Sequence, residues 1–77
     1  MTVSDTVRKE IAQTCALPVE NIREDVALTE YGLDSMRSME LIVALEAQFH
    51  IDISDDDIAT VRTVGDVIRA IERTVKS

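Results

Sequence analysis

The stretch SMRSMELIVALEAQFH, residues 35–50, decides the fold of this 77-residue chain. Set on a wheel at about 100° per residue, Leu41, Leu45, Phe49 and Ile42 fall on one side, which predicts a core-facing helix over 35–49. Met36, Met39, Val43 and Ala47 fall nearly opposite, at spacings of three, four and four. An ordinary bundle helix carries a single apolar stripe and a polar outer face. Two stripes have two explanations: the chain covers both, or the second stays open as a docking surface. Methionine suits adaptable contact with several partners. Glu40 and Glu46 flank the second stripe and would orient a charged partner.

Just upstream, YGLD at 31–34 is a glycine turn that leads into this helix. Asp34 and Ser35 are both plausible N-caps. If Asp34 takes that role, the Ser35 hydroxyl is left free in the first turn. Four chemical roles then compete for Ser35. A hydrolase nucleophile needs a base, and the single histidine, His50, lies about four turns away, on the order of 20 Å at 1.5 Å per residue. That role fails within one chain. A simple cap is reasonable, and an ordinary phosphorylation site has no specific support. Attachment of a phosphate-linked group suits the position, because the first turn offers unsatisfied N–H groups and a positive dipole.

Outside this helix, SDTVRKEIAQTC at 4–15 predicts a first helix, with Ser4 as N-cap, Asp5 in the first turn, and Val7, Ile11, Ala12 and Cys15 inward. Pro18 stops it. Residues 16–33 make a connection longer than most loops in compact domains. Leu17, Val19, Ile22, Val26 and Leu28 punctuate it, which predicts a loop packed over a bundle with a short helical turn. Ser54 and Asp57 predict the start of a short third helix, and Thr63 and Asp66 that of a last helix carrying Val67, Ile68, Ile71 and Val75. The acid-rich DISDDD at 52–57 lacks the glycine and the bidentate glutamate of a calcium loop and reads as a solvated helix start. No metal site is expected. The fold class is all-α: three main helices plus one short helix, with a long first loop, in a single domain over 1–77.

A chain this short buries a limited core, so a deep enclosed active site is not expected. The formal charge of -7 argues against nucleic acid and favours basic protein partners. One cysteine permits no internal disulfide, and no apolar run approaches the ~18 residues of a membrane span. The chain is expected to be a soluble, cytoplasmic monomer.

GLDSMRSMELIVALEAQFHIDI, residues 32–53, resembles the central region of acyl carrier proteins and of the related peptidyl and aryl carrier domains. The similarity runs on through the order of helices to TVGD at 63–66. It implies an acyl-carrier-like bundle and a carrier that is not itself an enzyme. Ser35 matches the serine that receives 4′-phosphopantetheine from coenzyme A through a phosphopantetheinyl transferase, and Asp34 matches the signature acid before it. The arm's thiol would hold an acyl or aminoacyl group as a thioester. Met36, Arg37, Met39, Glu40, Val43 and Glu46 fall where the family meets loading enzymes, synthases and tailoring enzymes. Met36 replaces the leucine of the commonest fatty-acid form. Arg37 stands where that form often has an acid, and is similar to some peptidyl and aryl carriers. Three functions follow: an acyl carrier of fatty-acid, polyketide or related secondary metabolism, an aminoacyl or aryl carrier of nonribosomal peptide assembly, and an unmodified helical adaptor.

Overall fold

A computed structural model describes residues 2–76. Four helices follow in order: α1 (Val3–Cys15), α2 (Ser35–Phe49), α3 (Asp55–Ala59) and α4 (Val64–Lys76). The long connection between α1 and α2 holds two 3-10 turns, Val19–Asn21 and Leu28–Tyr31. The all-α expectation and the order of elements therefore hold.

The helix starts are local chemistry. The Thr2 hydroxyl caps α1 by accepting from the Asp5 N–H (3.1 Å), which corrects the expected cap at Ser4. Ser4 lies inside the first turn, and its hydroxyl donates to Glu24 of the long connection (2.8 Å). At the other end Ala16 turns left-handed (φ 56°), so that the Leu17 N–H closes on Ala12 O at 3.0 Å before Pro18. Ser54 caps α3 through the Asp57 N–H. Thr63 and Asp66 form a reciprocal capping box at α4: the Thr63 hydroxyl accepts from the Asp66 N–H (3.1 Å), and the Asp66 carboxylate accepts from the Thr63 N–H (3.0 Å).

The core is apolar throughout, with no buried polar or charged residue among those described. Val7, Ile11 and Ala12 of α1 meet Leu41, Ile42 and Leu45 of α2 and Val64, Val67, Ile68, Ala70 and Ile71 of α4. Ile22, Leu28 and Leu33 of the connection and Ile53 complete it. Three expectations need correction. Phe49 is only half-buried, because it is the last residue of α2. Ile53, whose N–H is bonded to Glu46 in the last turns of that helix, takes the buried place there. Cys15, also a last helical residue, is half-buried. Val75 continues the α4 stripe one turn past Ile71 and is 52% exposed.

The connection is fastened rather than loose. The Tyr31 hydroxyl accepts from the Arg23 N–H (2.8 Å) and donates to Asn21 O (3.0 Å), which stitches the two turns together. The backbone of 24–28 clasps the start of α4: Leu28 N–H to Arg62 O, Val64 N–H to Val26 O and Gly65 N–H to Glu24 O at 2.9, 3.1 and 2.8 Å. A Cβ on residue 65 would lie 3.1 Å from Glu24 O, so glycine permits this approach. Gly32 (φ 82°) ends the second turn and aims the chain into α2.

Candidate functional site

Asp34 resolves the competition at the start of α2. Its carboxylate accepts from the Arg37 N–H at 2.9 Å, and its carbonyl accepts from the Ser38 N–H at 2.8 Å. The cap is thus complete without Ser35. The Ser35 side chain is exposed and has no hydrogen-bond partner among the described residues. It sits at the positive end of a 15-residue helix.

Ser35 also opens on a cleft. A cavity of about 490 Å³ lies between α2, α3 and the long connection. Its apolar walls include Leu28, Leu33, Met39, Ile42, Ile58 and Val61, and Asp34, Ser35, Ser38 and Arg62 line it as well. Phosphopantetheine fits this arrangement. The Ser35 hydroxyl is accessible and uncommitted, it stands at the positive end of α2, and an apolar cleft adjoins it.

The second stripe of α2 is open. Met36, Met39 and Val43 are 72%, 44% and 57% exposed, and Ala47 and Glu40 are exposed too. The long connection covers the core without covering this face. The other two expected contact residues are engaged within the chain. Arg37 is exposed, but its guanidinium donates to Thr14 O (3.3 Å) in the last turn of α1. Glu46 is half-buried, and its carboxylate accepts from the Ile53 N–H (2.8 Å), which fixes the segment that leads to α3. α3 is further tied by Asp57, which pairs with Arg73 (3.1 Å).

At the start of α4, hydrogen bonds hold the Asp66 carboxyl below its ordinary value. The Thr63 N–H contributes most, against an opposing desolvation, and is joined by the Arg62 N–H, Arg69 and the Thr63 hydroxyl. Each donor favours the charged form. This site fastens structure rather than performing chemistry.

Sequence reading did not find Arg62 or the cleft. Arg62 sits between α3 and α4, outside any periodic pattern, so no spacing marks it. The cleft is made by segments 27–33, 34–42 and 58–62, which only the fold brings together. Among the described residues, no helix is long and apolar enough to cross a membrane.

Comparison with known proteins agrees with this geometry. The family model described as "Phosphopantetheine attachment site" matches residues 5–71. An "Acyl carrier protein 3" of Ralstonia nicotianae is 38% identical, with 99% of this chain and 88% of that protein covered. An acyl carrier protein of Wolinella succinogenes is 34% identical, covering 94% of this chain and 96% of the relative. One from Sulfurovum sp. is 36% identical, covering 94% and 97%. The crystal structure of an acyl carrier protein from Thermotoga maritima shares the fold with a TM-score of 0.79 at 22% identity, over 92% of this chain and 84% of that one.

Proposed function

The chain belongs to the acyl carrier protein family, and from that premise we propose that Ser35 carries the 4′-phosphopantetheine arm and that the protein presents acyl intermediates to enzymes of fatty-acid, polyketide or related secondary metabolism. Members of this family are carriers rather than catalysts, and the arm supplies a terminal thiol on which cargo is held as a thioester. The observation that carries the assignment to Ser35 is the division of labour at 34–35. Asp34 caps the helix, which leaves the serine hydroxyl exposed and unpartnered. Asp34 holds the helix start in place under the attachment atom.

The chain's own residues then do two things. The cleft beside Ser35 offers an apolar wall of Leu28, Leu33, Ile42, Ile58 and Val61, which suits the hydrocarbon part of an acyl group. Met36, Met39 and Val43 offer apolar contact to partner enzymes, and Glu40 beside them steers basic partner surfaces. A phosphopantetheinyl transferase, a loading enzyme and synthases or tailoring enzymes are the partners. In this reading residues 1–77 act as one carrier domain, monomeric and cytoplasmic.

Incubation with coenzyme A and a broad-specificity transferase is expected to add one phosphopantetheine mass to the parent and none to a folded Ser35→Ala variant. Normal mass gain by that variant would falsify the assignment. Loading assays on the holo protein then separate the pathways. Acceptance of acyl groups from acyltransferases supports this reading, and loading solely by amino-acid- or aryl-activating enzymes replaces it with nonribosomal peptide assembly.

A further inference from the structure

Arg62 is the cation of the cleft. It shares the cavity wall with Asp34 and Ser35 and is exposed. Its backbone is held on both sides: the N–H donates to Asp66 (3.0 Å), and the carbonyl accepts from the Leu28 N–H (2.9 Å). The side chain therefore springs from a fixed point. Its guanidinium has no carboxylate or carbonyl partner among the described residues, whereas Arg8, Arg23, Arg69 and Arg73 pair with Asp5, Asp25, Asp66 and Asp57. Arg37 is nearer to Ser35 in sequence, but it is committed to Thr14 O.

A group linked through phosphate to Ser35 adds negative charge to a chain that already carries -7. It does so directly beside the Asp34 carboxylate, and like charges so placed repel. We infer that Arg62 is a positioning residue that takes the phosphodiester oxygens of the Ser35-linked arm, offsetting that repulsion and setting the arm over the mouth of the cleft. The planar guanidinium suits phosphate oxygens, and Arg62 lines the same cleft as Ser35. The inference rests on attachment at Ser35. A carboxylate at the end of a dicarboxylic cargo has the same anionic chemistry, and the test separates the two.

The test uses the full chain in apo form and, after transferase treatment, in holo form, for the parent, Arg62→Gln and Arg62→Lys. Intact mass is read first. No gain at Ser35 overturns the attachment reading and this inference with it, and is seen before any other measurement. With mass gained, melting temperatures are compared at low salt. Modification is expected to lower the melting temperature of Arg62→Gln by about 1–8 °C more than that of the parent, the range for an exposed charge pair in a domain of this size. The excess should shrink in high salt, and Arg62→Lys should restore most of it. The phosphodiester ³¹P resonance of unloaded holo protein should also move between the parent and Arg62→Gln. Equal melting shifts with an unmoved resonance overturn the inference. A coupling that appears only when the arm bears a dicarboxylic acyl group assigns Arg62 to cargo and overturns the phosphate role.

Discussion

The two faces of α2 make opposite predictions for the same small change. Leu45 is fully buried, and Val43, two residues earlier, is 57% exposed. Leu45→Ala removes packed carbon from the centre of the core and leaves a cavity, which costs about 2–5 kcal/mol. A chain of 77 residues has a total stability of roughly 4–12 kcal/mol, so this loss unfolds a sizeable fraction in the weakest case. Val43→Ala removes two methyl groups that are less than half buried, at about 0.8 kcal/mol per fully buried carbon. Against that loss of under ~1 kcal/mol stands a helix-propensity gain of about 0.5 kcal/mol. The net is within about 0.5 kcal/mol of zero. Urea titration of both variants against the parent measures the difference, provided the m-values agree. A Leu45→Ala loss below about 0.5 kcal/mol, or a Val43→Ala loss as large as that of Leu45→Ala, would show that the core lies on the wrong face.

Val43→Asp should melt only modestly below the parent yet transfer cargo poorly with loading enzymes, because it puts a charge into the docking contact. A collapse in melting temperature like that of Leu45→Ala would remove the open-face interpretation. Glu40→Lys should mainly slow association, with an effect that fades as salt rises. At pH 7, Asp66→Asn should cost about 1 kcal/mol of cap strength. Because the folded Asp66 carboxyl lies below the ordinary value of 3.8, its contribution is present above that pH and is lost as pH falls through the lower folded value. Acid titration of stability should therefore bring parent and variant together, and a gap that stays constant to below pH ~3 contradicts this. Gly32→Ala meets no atom within 4 Å, so its cost is that of a left-handed alanine, about 1 kcal/mol net by denaturant titration, and no loss would mean the turn relaxes.

What could be read in the sequence was what acts over one helical turn. The wheel separated Leu41, Ile42 and Leu45 from Met36, Met39 and Val43, and the short patterns at Asp34, Ser54 and Thr63–Asp66 became real caps. Periodicity gives direction but not reach, so it could not say that Phe49 and Val75 lie at the ends of their helices, where burial runs out. The other misses are long-range. Ser4 looked like a cap because the Glu24 that takes its hydroxyl is 20 residues away. Glu46 looked like a border of the open stripe because Ile53, which returns to its carboxylate, follows a turn that no pattern predicts. Arg62 acquires a site only once the long connection and α3 are folded beside Ser35.

The walls of the cleft differ in how firmly they are held. On one side, three backbone hydrogen bonds clasp 24–28 to the start of α4, and Leu28 and Leu33 are buried in the core. On the other, α3 is five residues long with none buried, and is held to the rest by half-buried Ile58 against the core and by the Asp57–Arg73 pair at its surface. Local opening follows the side with the fewest buried contacts. The cavity thus has one stiff jaw and one compliant jaw. Opening of the cleft is expected to follow α3, while Ser35 stands on the Asp34-capped start of α2. With the arm on Ser35 as proposed, the cleft would gain or lose room without moving the point from which the cargo hangs.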